Sequence, residues 1–270
     1  MPLPLPLASL LAALSQRKGS LLIGTLLTSV FAKIRSRDSS DGSPSPEEDP
    51  RLSASLASVV DARSPWTAAT AQLVHFGADH LALNLVALWQ LSPCEARGGG
   101  STGSFLLTSA QLLTLSGFFF VGGLFVAARR FGVARAEATR AVGYSAVLFG
   151  WMSLQAAEAG PHAAFRLFGL LKLPALFSPL LLIFATSIVL PNASLAGHLA
   201  GYFAGLVVAL GGIDWLTPGL AATLTLWMGA AALFRRKTAE AEAAAAADPE
   251  SGLLGSASPS AAASSPRIVL

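Results

Sequence analysis

Charge is what this sequence has least of. Asp, Glu, Lys and Arg make up only 12% of its 270 residues, against about 25% in an ordinary soluble domain. With 53% hydrophobic residues and a mean hydropathy of +0.60, that shortage excludes a soluble globular protein and reads as a polytopic membrane protein. The net charge of +3 is too small and too scattered to attract a polyanion, so no nucleic acid partner is expected. Cys94 is the single cysteine, which excludes an internal disulfide and leaves the redox compartment unread. Residues 1–16 form an apolar N-terminal segment with alternating prolines, and they lack the basic start of a secretory signal. Histidine is scarce as well. Of His75, His80, His162 and His198, all but His162 lie in apolar runs, where an ionisable group is costly and marks a functional candidate.

The uncharged runs define the spans of a membrane domain over residues 17–237. The stretch 19–32 lies between Lys18 and Lys33 and predicts a first helix over 17–35, its lysines snorkelling at the ends. An interfacial helix or part of a targeting segment is the alternative. Residues 36–64, rich in Ser, Pro, Asp and Glu, read as a mobile loop. Further helices are predicted at 70–92, 104–128 and 140–157, with a loop at 158–172. Residues 173–213 contain no charge over 41 positions. At about 1.5 Å per residue that is roughly twice the bilayer core. It therefore divides into two helices, 173–190 and 193–212, turning at Pro191-Asn192. The run 215–234, closed by Arg235-Arg236-Lys237, predicts a seventh helix, and residues 238–270 read as a disordered tail.

The polar residues that stand out inside these spans are His75, Asp79, His80, Asn84, Ser145 and His198. His80 and Asn84 are four apart and share a helix face, while His75 is offset. Ser145 alone would mean little, because a serine hydroxyl can bond back to its own helix. Gly197, Gly201 and Gly205 form a small-residue stripe that lets a neighbouring helix approach closely, and His198 sits beside it. Because spans alternate in direction, the starts of the second, fourth and sixth helices lie on one side. His75, His80, Ser145 and His198 then share one depth. His75 and Asp79 would bind a metal only with a third ligand, so no metal and no cofactor is expected. Asp79 receives no role. The acceptor motif Asn192-Ala-Ser194 sits in a tight membrane turn, where glycosylation is not expected.

The His75–His80–Asn84 spacing, the Gly143-Tyr-Ser145 run and the Gly197-His198-Leu-Ala-Gly201 run, in that order, resemble the rhomboid intramembrane serine proteases. Trp66 before His75, and Glu95 with Gly99, are similar to further motifs of that family. The stretches Ala141–Met152, Leu167–Leu173 and Thr186–Gly201 resemble a plant rhomboid-like subgroup in particular. The resemblance covers roughly residues 66–215. It implies an all-α fold with a six-helix core plus one C-terminal helix (6+1), and a Ser-His dyad without a carboxylate. Ser145 would be the nucleophile and His198 the general base. His80 and Asn84 would donate to the oxyanion with the Ser145 N–H, and His75 would line the cavity. Phe149 would pack against the ring of His198, with Gly143, Gly197 and Gly201 supporting the dyad. Two departures stand out: Ala146 where the G-x-S-G form has glycine, and Thr67 where many rhomboids have arginine.

The resemblance further implies single-span membrane proteins as substrates, cut in or near their helices, with the lipid bilayer as surroundings. A catalytically weak relative that binds client helices for quality control or trafficking is the alternative, although such proteins usually lack the dyad. An endomembrane (Golgi, ER or plasma membrane) is implied, with an organelle membrane as the alternative. Thirteen of the 18 lysines and arginines fall on the Ser145 side of the spans, which points that side to the cytoplasm. The family orientation is the opposite, and sidedness stays open, as does oligomeric state.

Overall fold

A computed structural model describes residues 14–38, 49–99, 101–160, 162–167, 171–190 and 193–211. The predicted seventh helix, the tail, the Pro191-Asn192 turn and most of the N-terminal segment lie outside them. The helices are α1 (Lys18–Asp38), α2 (Thr67–Thr70), α3 (Ala78–Leu91), α4 (Thr102–Phe131), α5 (Ala134–Ala138), α6 (Ser145–Glu158), α7 (Phe177–Val189) and α8 (Leu195–Ala209). Among the described residues, only α4 is long and apolar enough to cross a membrane by itself; α7 and α8 are shorter apolar helices.

Local chemistry sets the ends. The Ser101 side chain accepts from the Ser104 N–H at the start of α4, and Gly132, at φ +65°, closes its other end beside Arg129 and Arg130. Ser194 caps α8 by accepting from the Gly197 N–H at 3.1 Å. The start of α1 is capped from a distance. The buried Glu95 carboxylate accepts from the Gly19 N–H (2.7 Å), the Ser20 N–H (3.2 Å) and the Thr102 hydroxyl (2.7 Å). One acidic side chain thus ties α1, the turn after α3 and the start of α4 together.

The centre of the molecule is α6. Leu112 of α4, Tyr144, Val147, Leu148, Trp151 and Leu154 of the α6 region, and Ala204 of α8 form its core cluster. Trp151 stacks on Phe105 at 4.9 Å and donates its indole N–H to Ser109. Against α8 the packing is backbone to backbone. A Cβ at Gly201 would collide with the Ala146 carbonyl, and one at Gly205 would collide with the Gly150 carbonyl and the Ser153 hydroxyl. Ser153 donates to the Tyr202 carbonyl at 2.8 Å across this seam.

Four expectations are corrected. The predicted helix over 70–92 is broken: α2 passes through a 3-10 turn (Ala71–Leu73), the chain extends at Val74, and α3 begins only after Gly77. Gln72 holds this break in place by donating to the Ala68 and Leu113 carbonyls and accepting from Ser116. The predicted helix over 140–157 begins instead at Ser145. The loop 158–172 contains an antiparallel hairpin, β1 (Ala164–Leu167) with β2 (Leu171–Pro174), so the fold is mainly but not wholly helical. The described part of the first loop is packed rather than mobile. Ser53, Ser55 and Ser58 are buried, the Ser55 hydroxyl donates to that of Ser58, which donates to the Ser53 carbonyl, and Ala54 pairs with Ala141 in a two-bond bridge at 2.9 Å each way.

Candidate active site

Ser145 is the first residue of α6, and the three residues before it explain why. Ala141 is held by its bridge to Ala54, and the Gly143 N–H donates to the Ala71 carbonyl at 3.1 Å. Gly143 then turns the chain at φ +102°, a conformation that side chains disfavour. The helix can start only beyond this turn. The first-turn N–H groups of α6 therefore lack intrahelical partners and concentrate positive potential beside the Ser145 hydroxyl. Ser145 is half-buried, while every other residue from Val142 to Gly150 is buried, so its hydroxyl is the reachable group of this run.

His198 lies in the first turn of α8. The glycine-lined seam brings its Nε2 to 3.0 Å from Ser145 Oγ, although 53 residues separate the two in sequence. Phe149, one turn after Ser145, packs on the His198 ring with centroids 4.5 Å apart. Gly197 abuts its own cap, Ser194, and Ala141, so the turn before Ser145 and the start of α8 touch.

The second wall comes from the broken segment and α3. The rings of His75 and His80 lie 4.9 Å apart. His75, off the helix, accepts from the Tyr144 N–H at 3.4 Å through Nε2. The His80 ring lies over Gly143, where any Cβ would collide with it. Asn84 is buried and donates from Nδ2 to the His80 carbonyl at 2.8 Å. An amide NH₂ has two hydrogens, so one donor remains. Asn84 Oδ1, His80 Nδ1 and His198 Nδ1 are buried without a hydrogen-bond partner among the described residues. Buried polar atoms of that kind are costly in a packed core and accumulate where a site must hold water or substrate.

The residues singled out from the sequence thus come together, apart from Asp79, which is exposed at the start of α3. Gly201 lies one turn deeper in the same seam. Sequence reasoning missed the contribution of Ala54, Ala71 and Tyr144, which act through backbone groups that carry no side-chain signature. Thr67, one of the two departures, is buried and donates to the Ser64 carbonyl at 2.6 Å. Chemically, a hydroxyl within hydrogen-bond reach of an imidazole can surrender its proton on attack, and nearby donors can receive the charge that develops.

Comparison with known proteins bears on the family of the chain. Rhomboid-type serine protease 2 of Saccharomyces cerevisiae is 29% identical over 141 residues, which cover 50% of this chain and 49% of that protein. The protein of the same name from Debaryomyces hansenii is 31% identical over 153 residues, covering 54% and 50%. Rhomboid-like protein 15 of Arabidopsis thaliana is 32% identical over 79 residues, 29% of this chain and 19% of that one. The chain spans about half the length of these rhomboid-type serine proteases. Residues 62–214 match the rhomboid domain; with more than half of its length in that match, the chain belongs to the rhomboid family.

Proposed function

We propose that this protein is an intramembrane serine protease that uses a Ser145–His198 dyad. The observation that carries the reading is the 3.0 Å approach of His198 Nε2 to the half-buried Ser145 Oγ at the start of a helix. In the tautomer protonated at Nδ1, Nε2 accepts the Ser145 proton as Oγ attacks the scissile carbonyl carbon. The carbonyl oxygen becomes an oxyanion, stabilised by the Ser145 N–H, the free Asn84 amide hydrogen and the His80 ring. Collapse breaks the C–N bond, and His198 returns the proton to the leaving amine. Water then attacks the acyl-enzyme with His198 again as base, releasing the new carboxyl terminus and restoring the serine.

The proposed setting is a multi-pass bundle. The long α4 crosses the bilayer, and the shorter apolar helices α7 and α8 cross beside it. Substrates are single-span proteins whose helix unwinds near the membrane face, since an intact helix keeps its carbonyls bonded and out of reach of Ser145. An endomembrane is the proposed location. The roles of His75, in lining the water-holding cavity, and of Phe149, Gly143, Gly197 and Gly201, in positioning the dyad, belong to the same proposal.

The test is a panel of tagged single-span substrates in liposomes with the full chain, Ser145→Ala and His198→Ala. Cleavage by the wild type, lost in both variants, is the expected outcome. Cleavage that survives Ser145→Ala would exclude this mechanism. Equal retention of an uncut client helix by wild type and Ser145→Ala would favour client binding instead.

A further inference from the structure

The crossing from α6 to α7 is a patterned element, and catalysis makes no use of it. In the β1–β2 hairpin, Ala164 pairs with Pro174, Phe165 with Leu173 and Arg166 with Lys172. Side chains alternate across a strand. Phe165, Leu171 and Leu173 therefore share one face, and Ala164, Arg166, Lys172 and Pro174 share the other. Leu171 is 55% exposed although it lies on the apolar face, while Arg166 and Lys172 are exposed on the polar one. Two cations directly opposite each other destabilise a hairpin unless an anion lies between them. The ion pairs among the described residues belong to Arg129, not to these two.

The position of the hairpin suits an anionic layer. It follows the C-terminal end of α6, so it lies at the end of the bundle away from Ser145. The Ala175 N–H donates to the Ala163 carbonyl at 2.8 Å, fastening the hairpin to the start of α7. That helix carries the exposed apolar residues Phe177, Leu181, Leu182 and Phe184. Apolar surface on one side and paired cations on the other match the boundary between acyl chains and lipid phosphates.

We propose that the β1–β2 hairpin is an interfacial anchor in which Arg166 and Lys172 together bind the headgroup phosphate of an anionic phospholipid, while Phe165, Leu171 and Leu173 enter the adjoining acyl layer. The proposal rests on the membrane-spanning reading of α7 and is independent of the protease chemistry. Each cation near an anionic surface contributes about fivefold to binding, so the pair accounts for on the order of 30-fold.

The experiment uses the full chain with Cys94→Ser and single spin-labelled cysteines at Ala164, Leu171, Leu173 or Ile188, in phosphatidylcholine vesicles with and without phosphatidylglycerol. Labels at 171, 173 and 188 should meet oxygen dissolved in the acyl layer, and the label at 164 should meet a water-soluble relaxant. In detergent, short-chain phosphatidylglycerol should bind the wild type on the order of 30-fold more tightly than Arg166→Gln/Lys172→Gln, with inorganic phosphate failing to compete. Unchanged melting of the double variant would confirm that it is folded. A lipid-exposed label at 188 without alternation in the hairpin would overturn the anchor alone. So would equal lipid affinity of the double variant, or saturation by inorganic phosphate. A water-exposed label at 188 would overturn the spanning reading and the anchor with it.

Discussion

The two helices that flank α6, α8 and α7, are held by opposite means. Along α8, Gly201 and Gly205 bring no side chain of their own to the contact, and the carbonyls of Ala146 and Gly150, with the Ser153 hydroxyl, occupy the space where their Cβ atoms would be. Along α7, only Pro179 and Ile183 are buried, and Phe184, Ile188 and Val189 face outward. Ile183 joins Phe149 and Tyr202 in a small cluster, and the Tyr202 hydroxyl donates to the Leu176 carbonyl. A contact made of backbone atoms has no rotamers through which to relax, so it fixes a distance. A contact made of one side-chain stripe can loosen without moving the seam. Ser145 and His198 sit on the first kind of contact, and this is what holds them at 3.0 Å.

The comparison can be broken or sharpened experimentally. The largest effect should come from the dyad itself. Ser145→Ala and His198→Ala each lower kcat by at least about 10³-fold. Ser145→Ala should leave the melting temperature of the purified chain nearly unchanged, whereas His198→Ala should lower it by the loss of a buried ring packed on Phe149. Next, Gly201→Val drives a side chain into the Ala146 carbonyl and costs about 3 kcal/mol of stability, read by thermal melting in detergent. Activity should fall with it even in the fraction that remains folded.

Asn84→Ala should lower kcat about 100-fold through the lost oxyanion donor, with KM little changed and stability lowered by about 1 kcal/mol for the lost bond to the His80 carbonyl. A change in KM alone would assign Asn84 to substrate binding instead. On the α7 side, Ile183→Ala should cost about 2 kcal/mol by leaving a cavity between Phe149 and Tyr202. Its kcat should stay within a few fold of wild type; a loss as large as that of Gly201→Val would show that the two helices are held alike. The smallest effect is expected from Thr67→Ala, at about 1 kcal/mol for the lost bond to the Ser64 carbonyl, read as a small drop in melting temperature.

The candidate site was legible because it is lined by side chains that the surrounding composition makes conspicuous. In apolar runs with almost no charge, His75, His80, Asn84 and His198 stand out. Alternating spans place them with Ser145, and the glycines at 197, 201 and 205 identify the helix that approaches closely. What holds the site was less legible. The break at Val74–Gly77, the bridge between Ala54 and Ala141 and the capping of α1 by Glu95 all depend on backbone partners distant in sequence. The hairpin is hidden in the sequence because two four-residue strands give too short an alternation to separate from background.

The sequence by itself determined that the chain suits a bilayer, which polar side chains interrupt its apolar runs, and which helix must approach α6. Burial cost and glycine spacing are local properties of the chain. Only the tertiary structure decided that Ser145 begins its helix rather than lying within it. That choice depends on Gly143 being turned against the ring of His80 and on Ala141 being held by Ala54, two contacts between segments about 60 to 90 residues apart. No local propensity encodes them, because they arise only when the first loop folds back onto the bundle.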